Sequence, residues 1–431
     1  MDPTTFRLSI RQGVTFHNGT PFSAEDVKWN IARIQDPAKP SVPRPDLAAI
    51  ESVEASAKDT VILKLKQPNA ALLTAFGDRG GMMISPTAFQ KLGTDGFARA
   101  PVGTGPFVFK DWVVDAHATY ERYPQYWRKD AAGGTLPYLQ TIRFSIIPEA
   151  TVRAAALESG QIDILPFTPS QDVKRLDADK RIISAKFVGD KTSIYYMNHE
   201  FAPLDNLWFR RAVSAGLDRQ TYSNNFLTGE EPVANGLITP ASWAFAPQIQ
   251  NYNYDVAKAK EYLQRSGMPP SAWRFKAGAG TSVSDSNLLF EASLKSVGIT
   301  VDWVNGPDQF NSRLMKGFGG DSSIGMILST WGMRVDPDGS VAQFYTQKGT
   351  YNAGFAAVPE TEALVVKARE TYNVEERKKL YQTIQEKGVE NVYSAFLLNY
   401  TIVSTHASAK VGNTENLYLG EGKMRFANLW V

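Results

Sequence analysis

The stretch IRFSIIPEATVRAAALESGQIDIL, residues 142–165, decides the class of fold that the sequence predicts. Residues 142–147 are predicted to form a strand, and residues 151–159 a helix that ends at Gly160, where a left-handed cap is needed. A second strand, 162–165, follows at once. The order strand, helix, glycine, strand is typical of a βαβ unit, so we expect a sheet covered by helices.

Strands and helices are mixed on both sides of this stretch, which predicts an α/β protein. Serine, aspartate or asparagine stands before several apolar-periodic segments, as N-cap residues do before helices. The predicted strands are 6–10, a hairpin over 50–66, 107–109 and 193–197, and the predicted helices begin at Ser23, Asp205, Asp255 and Asn373.

Length and composition exclude several classes of protein. The 431 residues suffice for two or three domains at about 150 residues each. The absence of cysteine excludes disulfide scaffolds, thiolate metal sites and cysteine nucleophiles. The 46 basic residues nearly balance the 44 acidic ones, so nothing predicts binding to nucleic acid. No run of about 18 apolar residues predicts a membrane span, and residues 1–3 do not predict a secretory signal.

The sequence contains no motif of a catalytic or metal site that we can identify. Its histidines are far apart and form no metal-binding pattern; they are His17, His117, His199 and His406. Any two of the 44 acidic residues can meet in space, so a hydrolase with two carboxylates stays an alternative.

The segment from Asp336 to Gly339 resembles the start of a calcium loop. Gln347, however, stands where such a loop needs a bidentate glutamate. We therefore expect a helix start, with Asp336 as the N-cap and Pro337 as the first helical residue.

Aromatic and basic residues cluster in two regions, residues 78–83 and residues 331–352. Such residues line ligand clefts, where aromatic rings cover the body of a ligand and arginine binds carboxylates or phosphates. Taken alone, the same residues are equally explained as core and surface positions.

Six segments, taken in order, identify a family resemblance. They are FRLSIRQGVTFHNGTPFSAED (6–26), GTGPF (103–107), AALESGQIDIL (155–165), PLDNLWFRRAVSAGLDR (203–219), YDVAKAKEYLQRSG (254–267) and WGMRVDPD (331–338). Together they resemble the family 5 extracytoplasmic solute-binding proteins of ABC transporters, the group that includes dipeptide, oligopeptide, glutathione, opine and nickel binding proteins. The resemblance runs over essentially the whole chain.

The resemblance implies a two-lobed α/β fold, the class II periplasmic binding protein of cluster C, with mixed sheets in each lobe and a two-strand hinge near residues 195–198 and 399–404. Lobe I would hold residues 1–197 and lobe II residues 198–400, and residues 401–431 would return to lobe I. Ligand contacts present only in the shut state would drive closure.

The resemblance also implies partners and a compartment. We expect a periplasmic or otherwise extracytoplasmic monomer that binds a small molecule and meets an ABC transporter permease. Nucleic acid, cofactors, metal and catalysis are not expected. Relatives usually carry several dozen residues before the segment that starts here at Phe6, so we expect early strands of lobe I to be missing.

The ligand is expected to differ from that of the peptide-binding relatives. In those proteins an aspartate three residues after the motif tryptophan pairs with the peptide ammonium. Here Trp331 is followed by Arg334, whose guanidinium repels an ammonium and suits a carboxylate or phosphate. We expect Arg334 to face the cleft and Trp331 to stack on the ligand; the alternative is that Arg334 turns outward or pairs with Asp336.

Further ligand-binding candidates follow from the resemblance. Arg79 would be a second contact for an anion, although a surface arginine is an equal explanation. The other candidates are Gly80 and Met82 beside it, Tyr195, Met197 and Asn198 at the hinge, and Asn352 and Phe355 after the motif.

The expected function is therefore capture of a small anionic solute, such as an opine, a peptide derivative or a chelate, and its delivery to a permease. Three alternatives stay open at this point. They are an oligopeptide receptor with other anchors, a two-carboxylate hydrolase, and a truncated chain without a binding function.

Overall fold

A computed structural model describes residues 2–39, 41–227, 229, 231–279, 282–305, 324–349, 351–352, 359–417 and 424–431 of the chain. The chain divides into two compact units. Unit 1 comprises Met1–Phe187 and Ser404–Val431, and unit 2 comprises Val188–Val403. The lobe boundaries expected after residues 197 and 400 stay predictions.

Strands and helices are mixed along the described residues, as the sequence predicts. The strands are β1 (Thr5–Ser9), β2 (Ile50–Ala57), β3 (Thr60–Leu65), β4 (Phe107–Val113), β5 (His117–Arg122), β6 (Thr141–Ser145), β7 (Ile164–Leu165), β8 (Ile182–Met197), β9 (Arg274–Gly278), β10 (Thr300–Val304), β11 (Ile324–Gly332) and β12 (Ser394–Ser408). The helices are α1 (Ala24–Gln35), α2 (Leu72–Phe76), α3 (Pro86–Arg99), α4 (Ala150–Glu158), α5 (Ser170–Asp177), α6 (Leu207–Gly216), α7 (Arg219–Phe226), α8 (Val256–Arg265), α9 (Asp285–Val297), α10 (Asp338–Phe344), α11 (Pro359–Glu370) and α12 (Val374–Glu390). None of these helices combines the length and apolar character needed to cross a membrane.

The first part of unit 1 is an antiparallel sheet in the order β1-β3-β2 with helix α1. Residues Val27, Ile31 and Ile34 recur at helical spacing and are buried in a core shared with β3. At the start of α1, the Asp26 carboxylate accepts a hydrogen bond of 2.8 Å from the Ser23 backbone N–H, as a capping box predicts.

The expected βαβ unit over residues 142–165 is wrong, although its strands and helix are present. Strand β6 pairs antiparallel with β5 in the sheet β4-β5-β6, whereas β7 pairs antiparallel with β12. A βαβ unit needs two parallel strands of one sheet. The local prediction at the end of α4 is confirmed, because Gly160 has a φ of +74° there.

Unit 2 contains a mixed sheet in the order β10-β9-β11-β8-β12. Strand β11 is parallel to β9 and antiparallel to β8. Alternate residues of β8 enter two different cores, because side chains of a strand point to opposite faces: Ile194 and Tyr196 enter one, Tyr195 and Met197 the other.

Helices cover both faces of this sheet. Residues of α6, α8 and α9 lie in the core with Tyr195, and residues of α10, α11 and α12 lie in the core with Tyr196. The expected helix-covered sheet is therefore present in unit 2. It is formed by elements other than residues 142–165, the stretch from which it was predicted.

Candidate ligand-binding site

The candidate site is the segment that follows the carboxyl end of β11 in unit 2. In open α/β sheets, ligands bind beyond the carboxyl ends of parallel strands. Trp331 is next to the last residue of β11, and Arg334 follows it before helix α10 begins at Asp338. The sheet therefore fixes where this segment starts, and the helix fixes where it ends.

The Trp331 ring is held by hydrogen bonding and by aromatic packing. Its Nε1 donates to Ser340 Oγ at 3.0 Å. The rings of Tyr351 and Phe344 contact it edge-on, with centroid distances of 4.4 and 5.0 Å. Only 7% of the residue is exposed. Stacking of Trp331 on a ligand stays a prediction, and in this structure the ring chiefly supports its neighbours.

Arg334 is half-buried between Trp331 and the start of α10. Its backbone N–H donates to Ser340 Oγ at 3.1 Å, so one hydroxyl accepts from both Trp331 and Arg334. The guanidinium carbon lies 5.8 Å from the centroid of the Trp331 ring, within the range of a cation–π contact.

Gly339 makes room for the stem of Arg334. A Cβ at position 339 would lie 2.9 Å from Arg334 Cγ, which is closer than carbon atoms approach each other in proteins. The arginine side chain therefore packs directly against the first turn of α10, and any larger residue at 339 would displace it.

Two ion pairs hold the rest of the segment, one of them fully buried and the other with a partly exposed arginine. Arg377 donates to both oxygens of Asp336, at 3.0 and 2.8 Å, and less than a tenth of either side chain is exposed. Arg369 Nε lies 2.9 and 3.0 Å from the two oxygens of Asp338. Both acidic residues thus bind arginines of α11 and α12, and the resemblance of residues 336–339 to a calcium loop has no chemical basis.

The charges in these pairs act on each other. Burial lowers the pKa of Arg377, but the hydrogen bond and the charge of Asp336 outweigh burial and raise it above its usual value. The group therefore stays a cation. The cation neutralises the buried negative charge of the Asp336 carboxylate. An arginine is well suited to this, because it donates two parallel hydrogen bonds to one carboxylate.

Helix α10 begins one residue later than predicted. The structure places Pro337 at the N-cap position and Asp338 as the first helical residue. The reason is that the first turn closes between Gly339 N–H and the Asp336 carbonyl, an i+3 bond rather than an i+4 bond. The Asp336 carboxylate nevertheless accepts from the Asp338 N–H at 3.0 Å, which is the bond that an N-cap side chain makes.

The hinge candidates lie in the interior of unit 2. The Tyr195 hydroxyl donates to Asn287 Oδ1 at 3.1 Å, and Met197 is fully buried. Asn198 donates from its backbone to the Gly325 carbonyl at 2.7 Å and from Nδ2 to the Ile324 carbonyl at 3.2 Å. These bonds fasten β8 to neighbouring elements, and a role in ligand binding stays a prediction.

The candidates after the motif are partly described. Asn352 is 8% exposed, and its Nδ2 donates to the Thr346 carbonyl at 3.2 Å. Phe355 lies outside the described residues.

The candidates of unit 1 lie in a short 3₁₀ helix and just after it. Arg79 and Gly80 belong to the turn Arg79–Gly81, where Arg79 is partly exposed and Gly80 is buried. Met82, the residue after the turn, is 59% exposed. Their contribution to a site stays a prediction. Within the described ranges, no three acidic or histidine side chains come together as metal ligands do.

Four residues of the candidate site were missed by the sequence analysis: Gly339, Ser340, Arg369 and Arg377. Gly339 and Ser340 matter because a turn of the chain places them against Arg334, and the sequence alone does not show that contact. Arg377 is 41 residues from Asp336, a separation across which a single sequence shows no pairing.

Comparison with known families decides the assignment. The model of the bacterial extracellular solute-binding proteins, family 5, matches residues 1–352. The chain belongs to this family. The family 5 protein is therefore a solute-binding protein, and the family predicted from the six segments is confirmed.

Curated relatives of this family 5 protein are about equally distant. Heme-binding protein A of Haemophilus influenzae is 26% identical over 425 residues, which cover 89% of this chain and 74% of that protein. Glutathione-binding protein GsiB of Escherichia coli K12 is 26% identical over 398 residues, covering 89% of this chain and 75% of the relative.

Solved structures show the same fold. The Helicobacter pylori protein DppA, in complex with the peptide STSA, has a TM-score of 0.86 at 23% identity and covers all of this chain and 87% of its own. AgaA of A. tumefaciens R10, in complex with agropinic acid, has a TM-score of 0.85 at 22% identity with the same coverage. NikZ of Campylobacter jejuni, in complex with Ni(L-His), has a TM-score of 0.85 at 22% identity, covering 99% of this chain and 87% of that one. The fold is that of a two-lobed periplasmic binding protein with mixed sheets, as predicted.

Proposed function

We propose that this solute-binding protein captures a small anionic solute, and that the Arg334 guanidinium binds the solute's carboxylate or phosphate. The observation that carries the proposal is the position of Arg334 just after the carboxyl end of β11, where its neighbours hold it. Its backbone is fixed by Ser340, its stem by Gly339, and its guanidinium lies near the Trp331 ring. A planar, permanently charged fork held in this way is suited to bind a carboxylate.

The acidic residues of the same segment support an anionic ligand. A receptor for ammonium groups needs a carboxylate that is available to the ligand. Asp336 and Asp338 instead bind Arg377 and Arg369, and both are buried. The two carboxylates after Trp331 are therefore bound by arginines of the same unit, which disfavours them as the anchor of an ammonium group.

The molecules named for relatives agree with this charge. Glutathione, heme and agropinic acid, which appear in the names of relatives or of their complexes, all carry carboxylates. We propose a ligand of this broad class, delivered to a membrane permease by a protein that works as a monomer in the periplasm or another extracytoplasmic compartment. The family's description as extracellular supports the compartment.

The experiment is isothermal titration calorimetry with glutathione, agropinic acid and, as a cationic comparator, alanyl-alanine amide. Loss of a charge-assisted hydrogen bond costs about 1.5–3 kcal/mol, so Arg334→Gln should raise the Kd of the anionic ligand about 10- to 150-fold. Arg265→Gln is the matched control, because Arg265 also lies over a tryptophan ring, that of Trp208, on unit 2.

The alternatives predict other results. Equal binding of the peptide amide by the wild type and by Arg334→Gln would support an oligopeptide receptor with other anchors. Recovery of a cleaved ligand after incubation would support a hydrolase, whereas a binding protein returns the ligand intact. A thermal transition that no compound moves would contradict binding of this class.

A further inference from the structure

A surface patch of unit 1 combines two aromatic rings with three exposed arginines. We call it the arginine patch, and it consists of Arg11, Tyr126, Trp127, Arg128 and Arg425. The Arg11 guanidinium carbon lies 4.7 Å from the centroid of the Trp127 ring. The centroids of the Tyr126 and Trp127 rings are 5.5 Å apart. Two segments that are distant in the sequence thus meet at these rings.

Arg128 and Arg425 lie close to the Tyr126 ring. Burial raises the pKa of the half-buried Tyr126 hydroxyl, whereas the charges of the two arginines lower it. Both guanidiniums are therefore near enough to act on the ring electrostatically. The backbone N–H of Arg425 donates to the Leu417 carbonyl at 2.7 Å and holds this residue in place. A third segment of unit 1 thus adds a cation to the patch.

The patch is built on a fixed base. Tyr123, which comes just before the two rings, is 6% exposed; its hydroxyl donates to the Phe16 carbonyl at 2.8 Å and lies 2.6 Å from Thr15 Oγ1. The His17 ring meets the Tyr123 ring edge-on, with centroids 4.9 Å apart. These contacts fasten the loop after β5 to the turn after β1, which carries Arg11. The rings and the cations are therefore arranged before a partner arrives, which lowers the cost of binding.

The positive charge of the patch is not paired. Within the part of the chain that the structure describes, none of its three guanidiniums forms an ion pair with an aspartate or glutamate. The nearest carboxylate along the loop, that of Asp130, accepts instead from the Gly134 backbone N–H at 2.7 Å. In unit 2, by contrast, the guanidinium of Arg265 over the Trp208 ring has the Glu261 carboxylate at 3.6 Å. The arginine patch therefore offers its three cations to an anionic partner.

The arrangement of the patch favours the surface of a membrane as this partner. Arg11 lies over Trp127, and the other two arginines lie near Tyr126, so the cations suit an extended array of anions better than one small anion. Trp127 is 40% exposed, and tryptophan and tyrosine prefer the boundary between a bilayer and water. The formal net charge of the whole chain is only +2, which disfavours a long polyanion such as nucleic acid.

We propose that the arginine patch binds the surface of a membrane that contains anionic lipids, with its guanidiniums on lipid phosphates and Trp127 in the interfacial layer. This attachment is reversible, because each arginine near such a surface adds only about fivefold to the affinity. The proposal goes beyond the capture of a solute and does not depend on Arg334, which belongs to unit 2.

The test is co-sedimentation of the full chain with vesicles made of equal parts of phosphatidylglycerol and phosphatidylcholine. We expect binding to these vesicles, background binding to vesicles of phosphatidylcholine alone, and weaker binding as salt screens the charges. Arg128→Gln should weaken binding about fivefold, and the triple variant Arg11→Gln/Arg128→Gln/Arg425→Gln about 100-fold. Trp127→Ala should also weaken it.

The matched control removes the same amount of charge from unit 2. Lys258→Gln/Lys260→Gln/Arg265→Gln changes three exposed cations of α8 and should bind the vesicles like the wild type. Arg334→Gln should do so too, so a failure of the function proposed above leaves this result unchanged. Inorganic phosphate should displace the vesicles no more than sodium chloride does at the same ionic strength.

Several results would overturn the proposal. They are equal binding to vesicles with and without phosphatidylglycerol, equal losses in the two triple variants, and unchanged binding in Trp127→Ala. Extra displacement by inorganic phosphate would assign the patch to a free anion, and binding to heparin without binding to vesicles would assign it to an acidic polymer; each would also reject a membrane partner. If the triple variant of the patch does not fold, Arg128→Gln decides alone.

Discussion

Removal of Arg377 should destabilise unit 2 more than removal of any exposed arginine. In Arg377→Met the carboxylate of Asp336 stays buried, with 7% of its side chain exposed, but loses both hydrogen bonds of 3.0 and 2.8 Å. Removing one partner of a buried ion pair costs about 3–5 kcal/mol, because the other charge is left without compensation. Domains are stable by only about 5–15 kcal/mol, so the loss should be a large fraction of the total.

Urea unfolding followed by tryptophan fluorescence measures this loss, since Trp243 lies 5.4 Å from the Arg377 guanidinium. The matched control is Arg274→Met. Arg274 also makes a bidentate pair, with Asp302, but its side chain is 60% exposed, so its removal should cost much less than the removal of Arg377. The double variant Arg377→Met/Asp336→Leu should recover most of the stability, because neither charge of this pair remains. If Arg377→Met costs no more than Arg274→Met, the pair does not hold the segment.

Further predictions concern the same segment and the partly buried His199. Gly339→Ala should raise the Kd of the anionic ligand, because the added Cβ displaces the Arg334 side chain. Titration calorimetry measures this Kd, and an unchanged value would show that the position of Arg334 does not affect binding. Ser340→Ala should lower the free energy of unfolding by about 1–3 kcal/mol in urea titrations, because two donors lose their acceptor, and a loss within error would contradict this. Burial lowers the pKa of His199 to about 3, so the folded state binds fewer protons than the unfolded state between pH 6.5 and 3, and stability should fall as the pH drops through this window. Unfolding curves of His199→Gln should show a weaker pH dependence there, and an identical dependence would exclude the histidine as its source.

Local features of this chain were predictable because their signals are local. Asp255 and Asn373 begin helices α8 and α12, and each side chain accepts from the backbone N–H three residues later, at 2.8 and 3.0 Å. The predicted hairpin over residues 50–66 is strands β2 and β3. In each case, the residues that determine the conformation are neighbours in the sequence.

Strand pairing was not predictable from the same signals. Residues 142–165 have the order of a βαβ unit, but β7 pairs with β12 around His406, far along the chain. A two-residue strand has too few side chains to show which partner it takes. The alternation of apolar residues identifies a strand, and its partner is decided by the packing of the whole unit.

The candidate site was predictable only in part, for the same reason. Trp331 and Arg334 are close in sequence, so it could be predicted that they belong to the same candidate site. The ion pair of Asp336 with Arg377 depends on helix α12 packing near the segment, and nothing at residue 377 distinguishes it from a surface arginine of that helix.

A crystal structure of the chain with the anionic solute that binds most tightly tests the central claim most directly. We predict that the Arg334 guanidinium donates to a carboxylate or phosphate oxygen of the solute, at about 2.7–2.9 Å. A solute held through an ammonium group by a carboxylate, with Arg334 turned away from it, would contradict the account.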